Sequence, residues 1–203
     1  MAVTGAILFG FVLLHMVGNL QVYLGPEAMN GYAVFLREFL HGWGLWAARL
    51  ILLAAVILHI WSATSLTLTS RKARPVAYSR VEWRESTYAS RTMRWSGVLI
   101  LVFVIYHLMH FTFGNAHPSF IEGDVYHNFI AGFRSWPVSI AYIVAMILLG
   151  LHLRHGIWSM FQTLGVSHPR YIALAKRGAW LFAALIVIGN ISFPVAVLSG
   201  YLR

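Results

Sequence analysis

WPVSIAYIVAMILLGLHLRHGIWSMFQTLG, residues Trp136 to Gly165, is the stretch whose reading decides the fold. Its first half is apolar enough to cross a bilayer. His152, Arg154 and His155 then enter the same continuous helical pattern, with no proline to break it. A hydrocarbon interior charges on the order of several kcal/mol for such groups, so an ionisable residue at that depth marks a functional site. Three other apolar segments each carry a histidine at mid-membrane depth: His15, His59 and His107. The rest of the chain reads as a cage that brings these histidines together.

Composition agrees with that reading. Of 203 residues, 59% are hydrophobic and 10% charged, against roughly 25% charged in a soluble domain. A transmembrane helix takes about 20 apolar residues, so the length allows five spans and no soluble domain beside them. Cysteine is absent, which excludes disulfides, thiolate metal sites, iron–sulfur ligation and c-type haem attachment. The net charge of +9 comes from basic residues in loops flanking the spans. It reports orientation rather than nucleic-acid binding.

In order, the apolar spans run about 3–24, 42–69, 95–114, 137–163 and 177–198, in a single domain over 1–203. Neither a basic leader nor a small-residue cleavage site marks the first span, so it reads as a membrane helix and not a signal peptide. Its start almost at Met1 points to a short missing upstream segment. Gly25-Pro26 ends it, and Pro26 to Glu38 reads as an amphipathic surface helix with Tyr32, Phe35 and Leu36 in the interface. The second and fourth loops hold Arg71, Lys72, Arg74, Arg80, Arg84, Arg91 and Arg94, then Arg170, Lys176 and Arg177. Lys/Arg-rich loops stay in the cytoplasm. The expected fold is therefore an all-α membrane protein of five transmembrane helices, N-terminus cytoplasmic and C-terminus outside.

With that orientation, His15 and His107 fall in the outer half of the membrane and His59 and His152 in the inner half. At 1.5 Å rise per residue the two levels lie on the order of 10–15 Å apart. A facing pair of neutral imidazoles from two helices is the geometry for six-coordinate haem iron inside a four-helix bundle. Two levels would hold two haem b groups. Gly10, Gly18, Gly97, Gly150 and Gly156 allow close helix approach or room for a flat macrocycle. Arg154 and His155 are candidates for the inner propionates, and His110 for the outer ones. A lone intramembrane histidine is commonly a helix–helix hydrogen bond, but that account serves poorly for four at matched depths on four spans. His41, His117, His127 and His168 lie at loop or interface positions and read as structural. The Trp and Tyr content reads as an interfacial belt. Gln21, Tyr23, Arg37, Glu38 and Trp43 form an outer polar rim or line a quinone pocket.

LLHMVGN around His15, ILHIWSATSL around His59, RWSG with VIYHLMH around His107, and LHLRHGIWSMFQTLG around His152 stand in order on four spans. Taken together they resemble the dihaem cytochrome b membrane anchors of succinate:quinone oxidoreductases, of the single-subunit five-helix type. The resemblance covers essentially the whole chain. It implies two haem b, with His15 and His107 as axial ligands of the haem distal to the catalytic subunits and His59 and His152 of the proximal one. His107/His110 and His152/His155 are each spaced i, i+3, so either member can face one cavity; the family pattern favours His107 and His152. His110, His155, Arg154, Trp95 and Ser96 are then expected near propionates or quinone. The early start at Met1 departs from the family pattern.

The resemblance also implies a flavoprotein subunit and an iron–sulfur subunit on the cytoplasmic face of a prokaryotic inner membrane, received by the basic loops. Electrons from succinate would pass through the two haems to a membrane quinone, menaquinone being favoured, within the respiratory chain and tricarboxylic acid cycle. No catalytic residue is expected here and no dehydrogenase activity from the chain alone. Three other readings compete. One is the dihaem anchor of a hydrogenase or formate dehydrogenase. The second is a membrane non-haem metal enzyme, suggested by the HxxH pairs but needing more histidines together. The third is a proton-relay transporter, disfavoured because no Asp or Glu lies within a span.

Overall fold

The computed structural model describes residues 1–73, 88–166 and 168–203, so Arg74, Arg80 and Arg84 of the long basic loop lie outside the described residues. Among the described residues the chain is helical and contains no strand. In order come α1 (Ala2–Asn19), α2 (Pro26–Glu38), α3 (Trp43–Lys72), α4 (Tyr88–His107), α5 (Val125–Phe133), α6 (Trp136–Thr163) and α7 (Pro169–Leu198). Five helical segments are long and apolar enough to cross a membrane: Ala2–Leu24, Pro26–Lys72, Ser90–Thr112, Trp136–Thr163 and Arg170–Leu198. Helices suit such segments because lipid supplies no partner for a free backbone N–H or C=O.

Helix ends follow local chemistry. Gly165, at φ +82°, closes α6: its N–H reaches the Gln162 carbonyl and the Val166 N–H reaches Phe161. This is the paired terminal hydrogen bonding that a left-handed glycine allows. Pro169 takes the first turn of α7, where its missing N–H costs nothing, and the His168 side chain caps the helix by accepting from the Arg170 N–H. Arg170, Lys176 and Arg177 therefore stand on the first turns of a helix, where an apolar span was expected only from Arg177. Likewise Arg91 and Arg94 stand on α4. Charged residues end the hydrocarbon-compatible run without ending the helix.

Packing orders the long helices. α3 lies against α1, α1 against α6, and α6 against α4, while α3 and α4 are not closely packed. These four form an open square, and α7 runs outside it along α6. Gly150 of α6 makes the α6–α7 contact possible, because a Cβ there would land in the Val187 side chain. Gly189 of α7 similarly receives Met16 of α1. Such small residues let helices approach where lipid offers no hydrophobic drive for association. A third of the most apolar stretch of α6 is buried, against 6% for that of α3. The square is thus tight along α6 and loose across its middle.

The two short helices close one end. Asn30 of α2 donates to Asp124 (3.0 Å) and accepts from the Tyr126 N–H (3.0 Å), while Asp124 caps α5 by accepting from the His127 N–H (3.0 Å). Tyr32, expected in the lipid interface, instead packs over Gly18 of α1; Phe35 stays 56% exposed. The His127 backbone N–H, helped by the Asn30 amide, holds the Asp124 carboxyl below its ordinary range. A carboxyl depressed on folding stabilises fully above the unfolded value of about 3.9 and loses that contribution as pH falls through the lower folded value. Asp124→Ala is expected to cost about 1 kcal/mol of local stability at neutral pH and nothing once the wild-type carboxyl is protonated. Hydrogen exchange of the α5 amides at neutral and strongly acidic pH measures both.

Candidate functional site

Both predicted histidine pairs meet, and both meet across a diagonal of the square. His15 of α1 and His107 of α4 have ring centroids 5.8 Å apart at 87°. His59 of α3 and His152 of α6 have centroids 6.5 Å apart at 57°. Two metal–nitrogen bonds of about 2 Å plus the reach from each nitrogen to its ring centre sum to roughly 6 Å. Either pair therefore has the span to hold one metal between two imidazoles. Among the described residues no group of three or more His, Asp or Glu converges on a point. Each pair offers two axial nitrogens and suits a metal that brings its own equatorial ligands. Gly10 and Gly156 face open space, and a Cβ at Gly5 or Gly97 would lie 3.7 Å from the His59 or His152 ring.

The hydroxyl groups around the pairs decide which ring nitrogen is available. Thr4 lies 3.1 Å from His59 Nδ1, and its own proton goes to the Met1 carbonyl (3.0 Å). Ser96, buried at 2% exposure, lies 3.2 Å from His152 Nδ1, and its proton goes to the Met93 carbonyl (3.1 Å). A hydroxyl has one proton to give. With the hydroxyl proton on the main-chain carbonyl, each oxygen accepts from Nδ1–H, and Nε2 keeps its lone pair. That is the tautomer a metal ligand requires, and an oriented Nδ1–H is the usual outer-shell support for one. His107 Nδ1 has the Tyr142 hydroxyl at 3.2 Å. His15 differs: it stacks on Phe11 (5.3 Å, 21°) and is the most exposed of the four.

The remaining candidates scatter. His110 is completely buried, 3.1 Å from the same Tyr142 hydroxyl, and stacked on Tyr106 (5.5 Å) and His117 (4.8 Å). It sits in a π-helical turn, Leu108–Thr112, where the Phe113 N–H bonds Leu108 and the ring swings under α5. His155 is half-buried, and Arg154 and Trp95 are exposed, Trp95 at 75%. Tyr23 of the outer rim is committed to Ser192 on α7 (2.7 Å), and Glu38 and Trp43 are exposed.

Thr4 and Tyr142 were absent from the sequence reading, yet a periodic signal marks them. Thr4 precedes His15 by 11 residues, Ser96 precedes His107 by 11 and Tyr142 precedes His152 by 10. Three helical turns take about 10.8 residues, so each helix presents a hydroxyl at one level and a histidine at the other on the same face. The levels are accordingly about 15–16 Å apart. On α3 the matching positions hold Ala48 and Arg49, which leaves His15 without a hydroxyl from that helix.

Gly132 of α5 locks the His110 end. A Cβ there would stand 2.8 Å from His110 Cε1 and 3.2 Å from His117 Nε2, which already donates to the Asn128 carbonyl (2.8 Å). Gly132→Ala is expected to push His110 off Tyr142 and cost about 1–3 kcal/mol, read as a lower thermal midpoint of the purified protein.

Neither a curated protein nor a solved structure matches the chain. The family model for the succinate dehydrogenase/fumarate reductase transmembrane subunit matches residues 69–191. That stretch is more than half of the chain and contains His107, His110, Tyr142, His152 and His155, with His15 and His59 preceding it. Its members are membrane subunits of an oxidoreductase complex, which accords with five helices apolar enough to span. The chain belongs to the succinate dehydrogenase/fumarate reductase transmembrane subunit family, as a multi-pass membrane protein.

Proposed function

We propose that this chain is the membrane anchor and electron-transfer subunit of a succinate:quinone oxidoreductase, with two b haems between an iron–sulfur subunit and a membrane quinone. The observation that carries it is the His59/His152 pair: the two rings face each other at 6.5 Å, each with a hydroxyl oxygen in hydrogen-bond reach of its Nδ1. His59 and His152 would hold one haem, His15 and His107 the other. When bound, the haems supply one-electron exchange. The chain's residues supply axial nitrogens, their orientation and a low-dielectric shell.

Positive charge orients the subunit. Arg71, Lys72, Arg91, Arg94, Arg170, Lys176 and Arg177 gather at the end opposite α2 and α5, the end that faces the cytoplasm by the positive-inside rule. The His59/His152 pair is nearer to it, and a haem held there would take up electrons first. A flavoprotein and an iron–sulfur subunit dock there, and they carry the succinate chemistry. The quinone, menaquinone in this reading, takes electrons from the outer level, and the membrane is a prokaryotic inner membrane.

A dithionite-reduced minus oxidised spectrum with a pyridine haemochrome count tests this. Two b-type haems per chain, together with co-purifying flavin and iron–sulfur subunits, is the expected result. Absence of haem in protein isolated from its native membrane would overturn it. Haem with a hydrogenase or formate dehydrogenase partner would keep the cofactor and change the complex.

A further inference from the structure

Tyr142 stands between two imidazoles and has one proton. His107 Nδ1 lies 3.2 Å from its oxygen and His110 Nδ1 lies 3.1 Å away. Tyr142 is buried, and its ring packs against those of Phe103 (4.9 Å), Phe133 (5.0 Å) and Phe111 (5.7 Å). Two arrangements of protons satisfy both contacts. In the first, His107 Nδ1–H donates to Tyr142, and Tyr142 O–H donates to His110 Nδ1. In the second, His110 Nδ1–H donates to Tyr142, and Tyr142 O–H donates to His107 Nδ1.

Only the first leaves a lone pair on His107 Nε2. In the second, neutral His107 carries its proton on Nε2 and cannot ligate. At the His59/His152 pair the hydroxyls of Thr4 and Ser96 each have a main-chain carbonyl within reach as the other acceptor of their proton. A carbonyl only accepts, whereas an imidazole can turn the chain around. His110 Nε2 is buried and has no partner among the described residues, and it is unpaired in both arrangements. That orphan therefore does not favour either one. What favours the first is a metal on His107.

We propose that Tyr142 is a positioning residue that accepts from His107 Nδ1–H when that histidine holds a haem, with His110 Nδ1 accepting the Tyr142 proton, and so tunes the redox potential of that haem. The proposal rests on the haem reading above. An acceptor on Nδ1–H raises the basicity of an axial imidazole and favours the oxidised metal. A haem on His15 and His107 would then have a potential that depends on a reversible hydrogen-bonded chain, whereas the hydroxyls beside the other pair reach main-chain carbonyls.

The test is a potentiometric titration, followed by absorbance and by electron paramagnetic resonance of the ferric haems, in the intact complex. Three variants join the wild type: Tyr142→Phe, His110→Leu and His110→Asn. Tyr142→Phe removes the acceptor and is expected to raise the potential of one haem, or to lose that haem, with the other unmoved. Retention of the second haem's spectrum shows the bundle to be intact. His110→Leu is expected to move the same haem in the same direction by less. His110→Asn, whose amide oxygen can replace Nδ1 as acceptor, is expected to keep the wild-type potential.

Tyr142→Phe with both haems at wild-type potentials overturns the proposal. His110→Leu at the wild-type potential, with Tyr142→Phe shifted, overturns the part given to His110. Haem-free wild-type protein removes the underlying function and this inference together, and is read before any variant is made.

Discussion

Replacing His152 with leucine is expected to leave one b haem per chain in place of the proposed two, and to abolish the proposed succinate-driven quinone reduction by the assembled complex. Two measurements follow it: a pyridine haemochrome count, and quinone reduction with the partner subunits present. The size of the effect comes from comparison. Loss of an outer-shell partner typically costs about 10–100-fold in metal affinity or activity, and loss of the ligand itself costs more. Ser96→Ala is then the graded version. It removes the acceptor from His152 Nδ1 and should weaken haem retention by about 10-fold or more. His155→Leu is the control for the i, i+3 ambiguity. It should keep both haems, because the ring facing His59 is that of His152. Haem loss from His155→Leu, with His152→Leu unaffected, would sink this assignment.

Gly150→Leu is expected to cause the largest loss of stability of any single substitution outside the histidines. Its first added carbon would overlap the Val187 side chain and lie 3.9 Å from the Ala183 carbonyl. Both neighbours belong to α7, which packs closely along α6. Neither a backbone carbonyl nor a β-branched side chain clamped at χ1 moves aside cheaply. Overpacking typically costs about 1–3 kcal/mol and sometimes more, which for a chain of this size lowers the midpoint by roughly 2–12 °C. A thermal scan of detergent-purified protein reads it. The pair Gly150→Ala with Val187→Ala restores volume and should recover most of the loss. An unchanged midpoint in Gly150→Leu would mean that α6 and α7 do not touch there.

Much of this was legible in the sequence because a bilayer leaves few choices. Long apolar runs interrupted by Gly25-Pro26 and by the basic loops indicate spanning helices, and depth along those runs pairs His15 with His107 and His59 with His152. The supporting hydroxyls were harder to see. Tyr142 looks like one more tyrosine of an interfacial belt, although it lies about two turns inside α6, and nothing local in the sequence says that it faces His107. In the sequence Ser96 stands out only for its position near the basic end of its span, whereas the structure gives it to His152. His110 depends on a π-helical turn, which has no composition of its own. An α-helical register alone leaves it as a second candidate on the face of His107. The early start of α7 was missed because hydropathy reports where lipid is tolerated and not where a helix begins.

The three-turn register has a consequence for how such a chain can vary. Thr4 and His15, Ser96 and His107, and Tyr142 and His152 each share one helix but act on different levels. A residue inserted between two such partners turns everything beyond it by about 100° and moves it by about 1.5 Å. The hydroxyl at one level and the histidine at the other could not then both face inward. α1, α4 and α6 therefore behave as gauges of fixed length, with drift in chain length excluded between the marks. Additions and deletions are confined to the stretches beyond them, such as the segment joining α3 to α4, where neither gauge mark is displaced relative to its partner.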